Sequence, residues 1–280
     1  MATYAGNYLW NTLDRSGKIE VKLYEARTTT NKAQWHDETI IVPEDSVVIG
    51  GGVEIQPRPA FITASYPNKD LSGWVASSKD HEISCPHGLR LYALGMRITG
   101  LSRSQLFNLI RIHITNSPVT SHPEVEANVT QGYVILGGGI RIDYQGAGSL
   151  ATASFPSSPR STWKARAKDH HLPCPASVFS YAIGIAQELP VGKVVGVTNR
   201  STSVRTSWPS ATVALKDGYA LTGGGGEAVY GGAGSLLCAL RPDWYAGDRS
   251  DKTGFHAESH DHIDADPSQM RAFALGIRIK

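Results

Sequence analysis

Trp74-Val75-Ala76-Ser77-Ser78-Lys79-Asp80-His81 is written three times in this 280-residue chain. It returns as Trp163-Lys164-Ala165-Arg166-Ala167-Lys168-Asp169-His170, and again as Phe255-His256-Ala257-Glu258-Ser259-His260-Asp261-His262. Each copy has an aromatic residue, one variable residue, Ala, and Asp-His at the close. Three copies with fixed internal spacing are the mark of a repeat architecture.

Working outward from the octets fixes the length of the unit. Gly50-Gly51-Gly52, Gly137-Gly138-Gly139 and Gly223-Gly224-Gly225 stand 87 and 86 residues apart. Trp35, His122 and Trp208 each lie fifteen residues before the first glycine of their triplet. Eleven residues beyond each octet's final His begins a matching tetrapeptide, Tyr92-Ala-Leu-Gly95, Tyr181-Ala-Ile-Gly184 or Phe273-Ala-Leu-Gly276. The chain therefore divides into three copies, 1–98, 99–187 and 188–280.

Within the first copy, Ile19–Tyr24 alternates apolar and polar residues, the period of a half-buried strand. Thr39–Val42, Ser46–Ile49, Phe61–Ser65, Trp74–Ser78 and Leu89–Ile98 are short β-branched or aromatic runs bounded by Pro and Gly. The other copies repeat this grammar, with glycine-rich hairpin connections at Gln145–Ser149 and Gly231–Ser235. Ser104–Ile110 is the one helix-like candidate. The expected fold is all-β, with three antiparallel repeats of about 90 residues in pseudo-threefold, β-prism-like symmetry. Three small β-sandwich units are the alternative arrangement. The third copy lengthens the loop between Pro242 and Phe255, and repeat insertions of this kind map to loops, often on a binding face.

The composition, 41% hydrophobic and 19% charged, is that of an ordinary globular protein. A net charge of +2 gives no electrostatic reason to expect nucleic acid. No apolar run reaches the length of a membrane span. Cys85 and Cys174 occupy equivalent places, each before Pro, and with Cys238 they make an odd count that suggests buried thiols rather than disulfides. The first fifteen residues do not read as a secretory signal, so the expectation is a cytoplasmic protein or one exported by a non-classical route.

The glycine triplets are followed by strand-like residues, whereas a phosphate-binding loop needs a helix there. Glycine inside a strand marks a bulge or a close backbone approach, so three triplets imply backbones crowding where the repeats meet. No cofactor is expected.

The Asp-His pairs are the chemical candidates. Strand parity places Trp74, Ala76, Ser78 and Asp80 on one face, and sends His81 outward or beneath a loop. One reading makes the Asp a brace for turn amides. Another makes each corner a sugar site, with carboxylate and imidazole meeting hydroxyls and an aromatic ring meeting the pyranose face. Its residues are Asp80, His81 and Trp74; Asp169, His170 and Trp163; Asp261 and His262, with Trp244 and Tyr245 beside the third corner. A third reading gathers His81, His170 and His262 on the pseudo-threefold axis as a metal site. Catalysis is disfavoured, since no Ser or Cys stands in a nucleophile setting such as Gly-x-Ser-x-Gly.

Two resemblances accompany these residues. The succession of Gly-Gly-Gly, Ala64-Ser-Tyr-Pro67 or Ala153-Ser-Phe-Pro156, Trp, and Tyr-Ala resembles small repeats found in many bacterial secreted proteins. The third copy departs from it with Ala239-Leu-Arg-Pro242 and Phe255. The expected architecture is similar to β-prism proteins such as plant jacalin-like lectins and the vitelline membrane outer layer protein. That likeness implies a non-enzymatic, multivalent module with glycans as partners. The alternatives are a structural or protein-interaction role, and third, a hydrolase.

Overall fold

A computed structural model describes residues 2–57, 59–157, 161–245 and 252–280. Among these residues the chain forms three sheets of seven strands each. In order across the first sheet lie β1 (Thr3–Ala5), β4 (Gln34–Ile41), β7 (Gly73–Lys79), β6 (Phe61–Pro67), β11 (Tyr133–Asp143), β14 (Ser177–Ala186) and β9 (Ile110–Asn116). The second runs β10 (Glu124–Asn128), β13 (Thr162–Lys168), β12 (Leu150–Ser157), β18 (Ala220–Val229), β21 (Gln269–Ile279), β16 (Gly192–Thr202) and β15 (Glu188–Leu189). The third runs β17 (Ser210–Ala214), β20 (Lys252–His260), β19 (Leu236–Tyr245), β5 (Val47–Gln56), β8 (Gly88–Ile98), β3 (Ile19–Arg27) and β2 (Asn7–Leu13). The all-β expectation holds.

Each sheet joins half of one repeat to half of the next. The seams are short antiparallel pairings in matching places: Arg141 opposite Ala64, Glu227 opposite Ala153, and Glu54 opposite Ala239. Shared sheets replace the alternative of three separate sandwiches, because every repeat's edge is completed by a neighbour. An unpaired edge exposes a row of N–H and C=O groups, and closing the repeats on one another removes three such edges.

The glycine triplets make the closure sterically possible. A Cβ on Gly137 would stand 2.8 Å from Ile49 O, one on Gly223 would stand 2.9 Å from Leu136 O, and one on Gly50 would come closer still to Thr222 O. These three approaches run cyclically around the axis, and the β-ladder shifts register at each triplet. Crowding of backbones where the repeats meet is what the sequence led us to expect.

The middle glycines seat the aromatic residues that open the octets. A Cβ on Gly51 or Gly138 would lie 2.5 Å from Cγ of Trp74 or Trp163, and Gly224 faces Phe255 in the same way. Trp74 and Trp163 are fully buried, and each donates its indole N–H, 2.9 Å, to Ser65 Oγ and Ser154 Oγ. Burying one such ring removes roughly 200 Å² of surface from water, an upper bound of about 5 kcal/mol. Further along the axis Phe61, Leu150 and Leu236 form a fully buried triangle, one residue from each repeat.

The alternation of Ile19, Val21 and Leu23 turns those side chains into the core, as their period requires. The helix α1 (Arg103–Asn108) falls on the candidate stretch and begins with a capping box between Ser102 and Gln105. The strands β1 and β2, formed by the first fifteen residues, carry no alternation strong enough to have been read from sequence. No helix among the described residues is long and apolar enough to cross a membrane.

Candidate functional site

The three octets end at one end of the pseudo-threefold axis. Asp80 Oδ2 accepts the Cys85 amide at 3.0 Å, and Asp261 Oδ2 accepts the Asp266 amide at 2.9 Å. The backbone amides of Asp80, Asp169 and Asp261 donate to Ala33 O, Ser121 O and Ser207 O. After each Asp-His the chain turns through a left-handed residue, Glu82, His171 or Ile263, with φ of 57°, 56° and 62°. In the first and third copies a carboxylate anchored on the amide five residues ahead holds that strained turn in place.

His81 is buried rather than turned outward, and so are His170 and His262. Their rings meet on the axis with centroids 5.1–5.5 Å apart. The gathering of the three imidazoles on the axis was anticipated; their use as one metal face is not favoured by their bonds. His81 Nδ1–H donates to Ala147 O at 3.1 Å, and His262 Nε2–H donates to His81 O at 2.6 Å. These two rings spend a nitrogen each on backbone carbonyls. Burial holds the His81 and His262 imidazoles below the ordinary histidine range. It pulls His170 to about 4, aided by the neighbouring His81, His171 and His262 rings and by Lys168.

Residues that the sequence reasoning left aside complete the end of the barrel-like body. Lys79 and Lys168 are each only 1% exposed. Lys79 Nζ donates to Gly146 O at 3.0 Å and lies 3.8 Å from the Tyr144 ring centroid. Lys168 Nζ donates to Gly232 O and Gly234 O at 3.1 and 2.5 Å and lies 3.7 Å from the Tyr230 ring. Each lysine thus caps the glycine-rich connection of the following repeat, which does not form the expected hairpin but crosses from one sheet to the next, joining β11 to β12 and β18 to β19. In the third copy His260 takes this position, stacked on Trp208 and set at a tilt against Phe61. The stretch between β5 and β6, which corresponds in the first copy, lacks the Gly-Ala-Gly-Ser run. Burial lowers both ammonium groups to about 8.

As ligand platforms the tryptophans fail on geometry, since Trp74 and Trp163 present no ring face to solvent. Trp244 and Tyr245 continue β19 opposite Thr253 and Lys252, but their side chains, and the inserted loop at 246–251, lie outside the described residues.

Three open grooves lie instead on the outer faces of the sheets, at the seams. On the second sheet a groove of about 420 Å³ is lined by Phe155, Lys164, Arg200, Glu227, Arg271 and Phe273, among others. Phe155 and Phe273 stack at 5.1 Å, and Glu227 accepts Arg166 Nη1 at 2.8 Å and Arg271 Nη1 at 2.9 Å. On the third sheet a groove of about 560 Å³ holds Trp10, Arg90, Tyr92, Arg241 and Asp243, with Glu54 accepting Arg90 Nη1 at 3.2 Å and the Tyr92 hydroxyl at 3.3 Å. On the first, about 230 Å³ lies between Asp37, Arg141 and Tyr144, while Tyr66 stacks on Tyr181 at 4.8 Å and donates to Asp37.

These three faces are variants of one plan. Arg141, Glu227 and Glu54 are equivalent by register, as are their partners Phe179, Arg271 and Arg90. The first sheet therefore replaces a carboxylate–guanidinium pair by a guanidinium over an aromatic ring, 4.2 Å from its centroid. The recurrence of Glu two residues after the triplet, with Arg two residues before the closing tetrapeptide's aromatic, was the sequence signal for these faces. No protein-family model matches the chain, and no curated protein matches its sequence.

Proposed function

We propose that this protein is a non-enzymatic, multivalent binding module that takes glycans on the outer faces of its three sheets. The observation that carries the reading is the recurrence, at each seam, of aromatic rings beside an arginine and a carboxylate at the edge of an open groove. Charged groups of this kind make strong hydrogen bonds to hydroxyls, and a ring edge or face contacts sugar C–H groups. Three weak sites on one rigid body gain affinity through avidity without any further contact.

Glycan-array binding of the wild type beside Arg90→Ala, Arg141→Ala and Arg271→Ala tests this. The reading expects wild-type binding, a several-fold loss in each single variant and a far larger loss in the triple variant. Absence of wild-type binding, or a triple variant that binds equally well, removes it.

A structural or protein-interaction role is the second reading. What favours it is that Asp80 and Asp261 spend a carboxylate oxygen on their own turns, leaving the Asp-His corners as braces. Under this reading no glycan binds and Asp80→Ala loses stability only.

A further inference from the structure

At the end of the axis where the octets close, the repeats do not match. The residue bridging back to the third octet's His is Asp264, where the other copies have Ile83 and Leu172. The left-handed position holds His171 in the second copy, where its counterparts are Glu82 and Ile263. The two departures meet: His171 Nε2 lies 2.6 Å from Asp264 Oδ2, across the junction of the second and third repeats.

His170 adjoins this pair. Its ring stacks on that of His171 with centroids 4.6 Å apart, and it is 1% exposed. Neither of its ring nitrogens has a hydrogen-bond partner among the described residues. One donor atom each from His170, His171 and Asp264 fall within 4.8 Å of one another. Leaving a buried imidazole with both nitrogens unpaired is costly, and a ligand that accepts the lone pair of one of them removes that nitrogen's share of the cost.

We propose that His170, His171 and Asp264 form a binding site for a divalent transition-metal ion of the zinc type, tying the second repeat to the third. Two imidazoles and one carboxylate are the donor set such ions prefer, and they leave one position for water. Tetrahedral coordination with bonds near 2.0–2.1 Å places donors roughly 3.3 Å apart. The His171–Asp264 pair opens slightly to reach that spacing, and His170 closes on it. His171 and Asp264 have side chains 30% and 51% exposed, so an ion enters from solvent without unfolding the axis. Glu82 places its carboxylate 3.9 Å from His171 Nδ1, beyond hydrogen-bond reach, and adds negative charge beside the site. The hard cations calcium and magnesium, which favour all-oxygen ligands, are not expected to bind.

The test uses the full chain stripped with chelator, titrated calorimetrically with Zn²⁺ and spectroscopically with Co²⁺. The comparison variants are Asp264→Leu and His171→Ile, which install the residues the sibling repeats already carry at exposed positions. Wild type is expected to bind one Zn²⁺ that each variant weakens by about tenfold or more. Co²⁺ should give the intense visible bands of a tetrahedral site in wild type only, and Zn²⁺ should raise the melting temperature of wild type but not of the variants. Circular dichroism confirms that the variants are folded. Failure of the wild type to bind Zn²⁺, or binding undiminished in both folded variants, overturns the site.

Discussion

Lys79 and Lys168 make the alkaline side of the stability curve diagnostic. Each ammonium is buried against a tyrosine ring and the carbonyls of a neighbouring glycine-rich connection, and burial lowers it from 10.5 to about 8. The groups whose charge opposes this are Cys174 and Asp169 for Lys79, and Asp266 and Asp261 for Lys168, and they offset the burial only in part. Between pH 8 and 10.5 the unfolded chain therefore binds more protons than the folded one, so stability rises with pH through that window. Below about pH 8 both states carry the charge and this contribution is gone. Each lysine is worth about 3 kcal/mol over the whole window, of which about 2 kcal/mol falls between pH 7.5 and 10. Other groups act in the opposite sense: burial raises the Cys85 thiol and the Tyr66 and Tyr92 hydroxyls, so their effect lowers stability as the unfolded forms ionise. A difference measurement separates the two. Lys79→Met keeps the side-chain volume and removes the charge. In urea denaturation at pH 7.5, 8.5 and 10, wild type should gain about 2 kcal/mol relative to this variant as pH rises. A difference that stays flat to within about 0.5 kcal/mol would refute the burial of a strained ammonium at this position.

The steric account of the glycine triplets is checked by Gly138→Ala against Gly231→Ala. The first would press a Cβ into Trp163 and should cost about 3 kcal/mol or more, beyond ordinary overpacking, while the second meets nothing within 4 Å and should change thermal stability little. Asp80→Ala frees the Cys85 amide and should lose about 1–3 kcal/mol in chemical denaturation; an unchanged midpoint would deny the brace. Trp163→Phe removes the bond to Ser154 Oγ and leaves that hydroxyl buried, with an expected loss of about 1–3 kcal/mol by the same measurement.

The repeat, most of its strands and the crowding at the glycines were legible because each rests on local pattern or on spacing, whereas Ser104–Ile110 reads only as a short, unconvincing helix candidate, β-branched at its end. The sharing of sheets between repeats was not, because a strand's period says which face is apolar but not which neighbour completes its edge. That omission left open whether His81 turned outward or beneath a loop, and left Lys79 unnoticed. Parity correctly put Trp74 and Lys79 on opposite faces, yet β7 is buried on both, since the following repeat's glycine-rich connection covers the second face. A signal was present: Lys occurs in the two octets whose successor carries Gly-Ala-Gly-Ser, and His260 in the one whose successor does not. Reading Trp74 as a sugar platform failed for a related reason, as the glycine opposite it belongs to another sheet and admits the ring.

The central claim is that three copies close into one cooperative body whose Asp-His corners lie within it. Native-state hydrogen exchange of the seam amides, around Ala64, Ala153 and Ala239, tests this most directly. All three seams are expected to exchange only through global unfolding, with the same free energy and the same denaturant slope. A seam that opens at markedly lower free energy, releasing one repeat while the others stay protected, would contradict it.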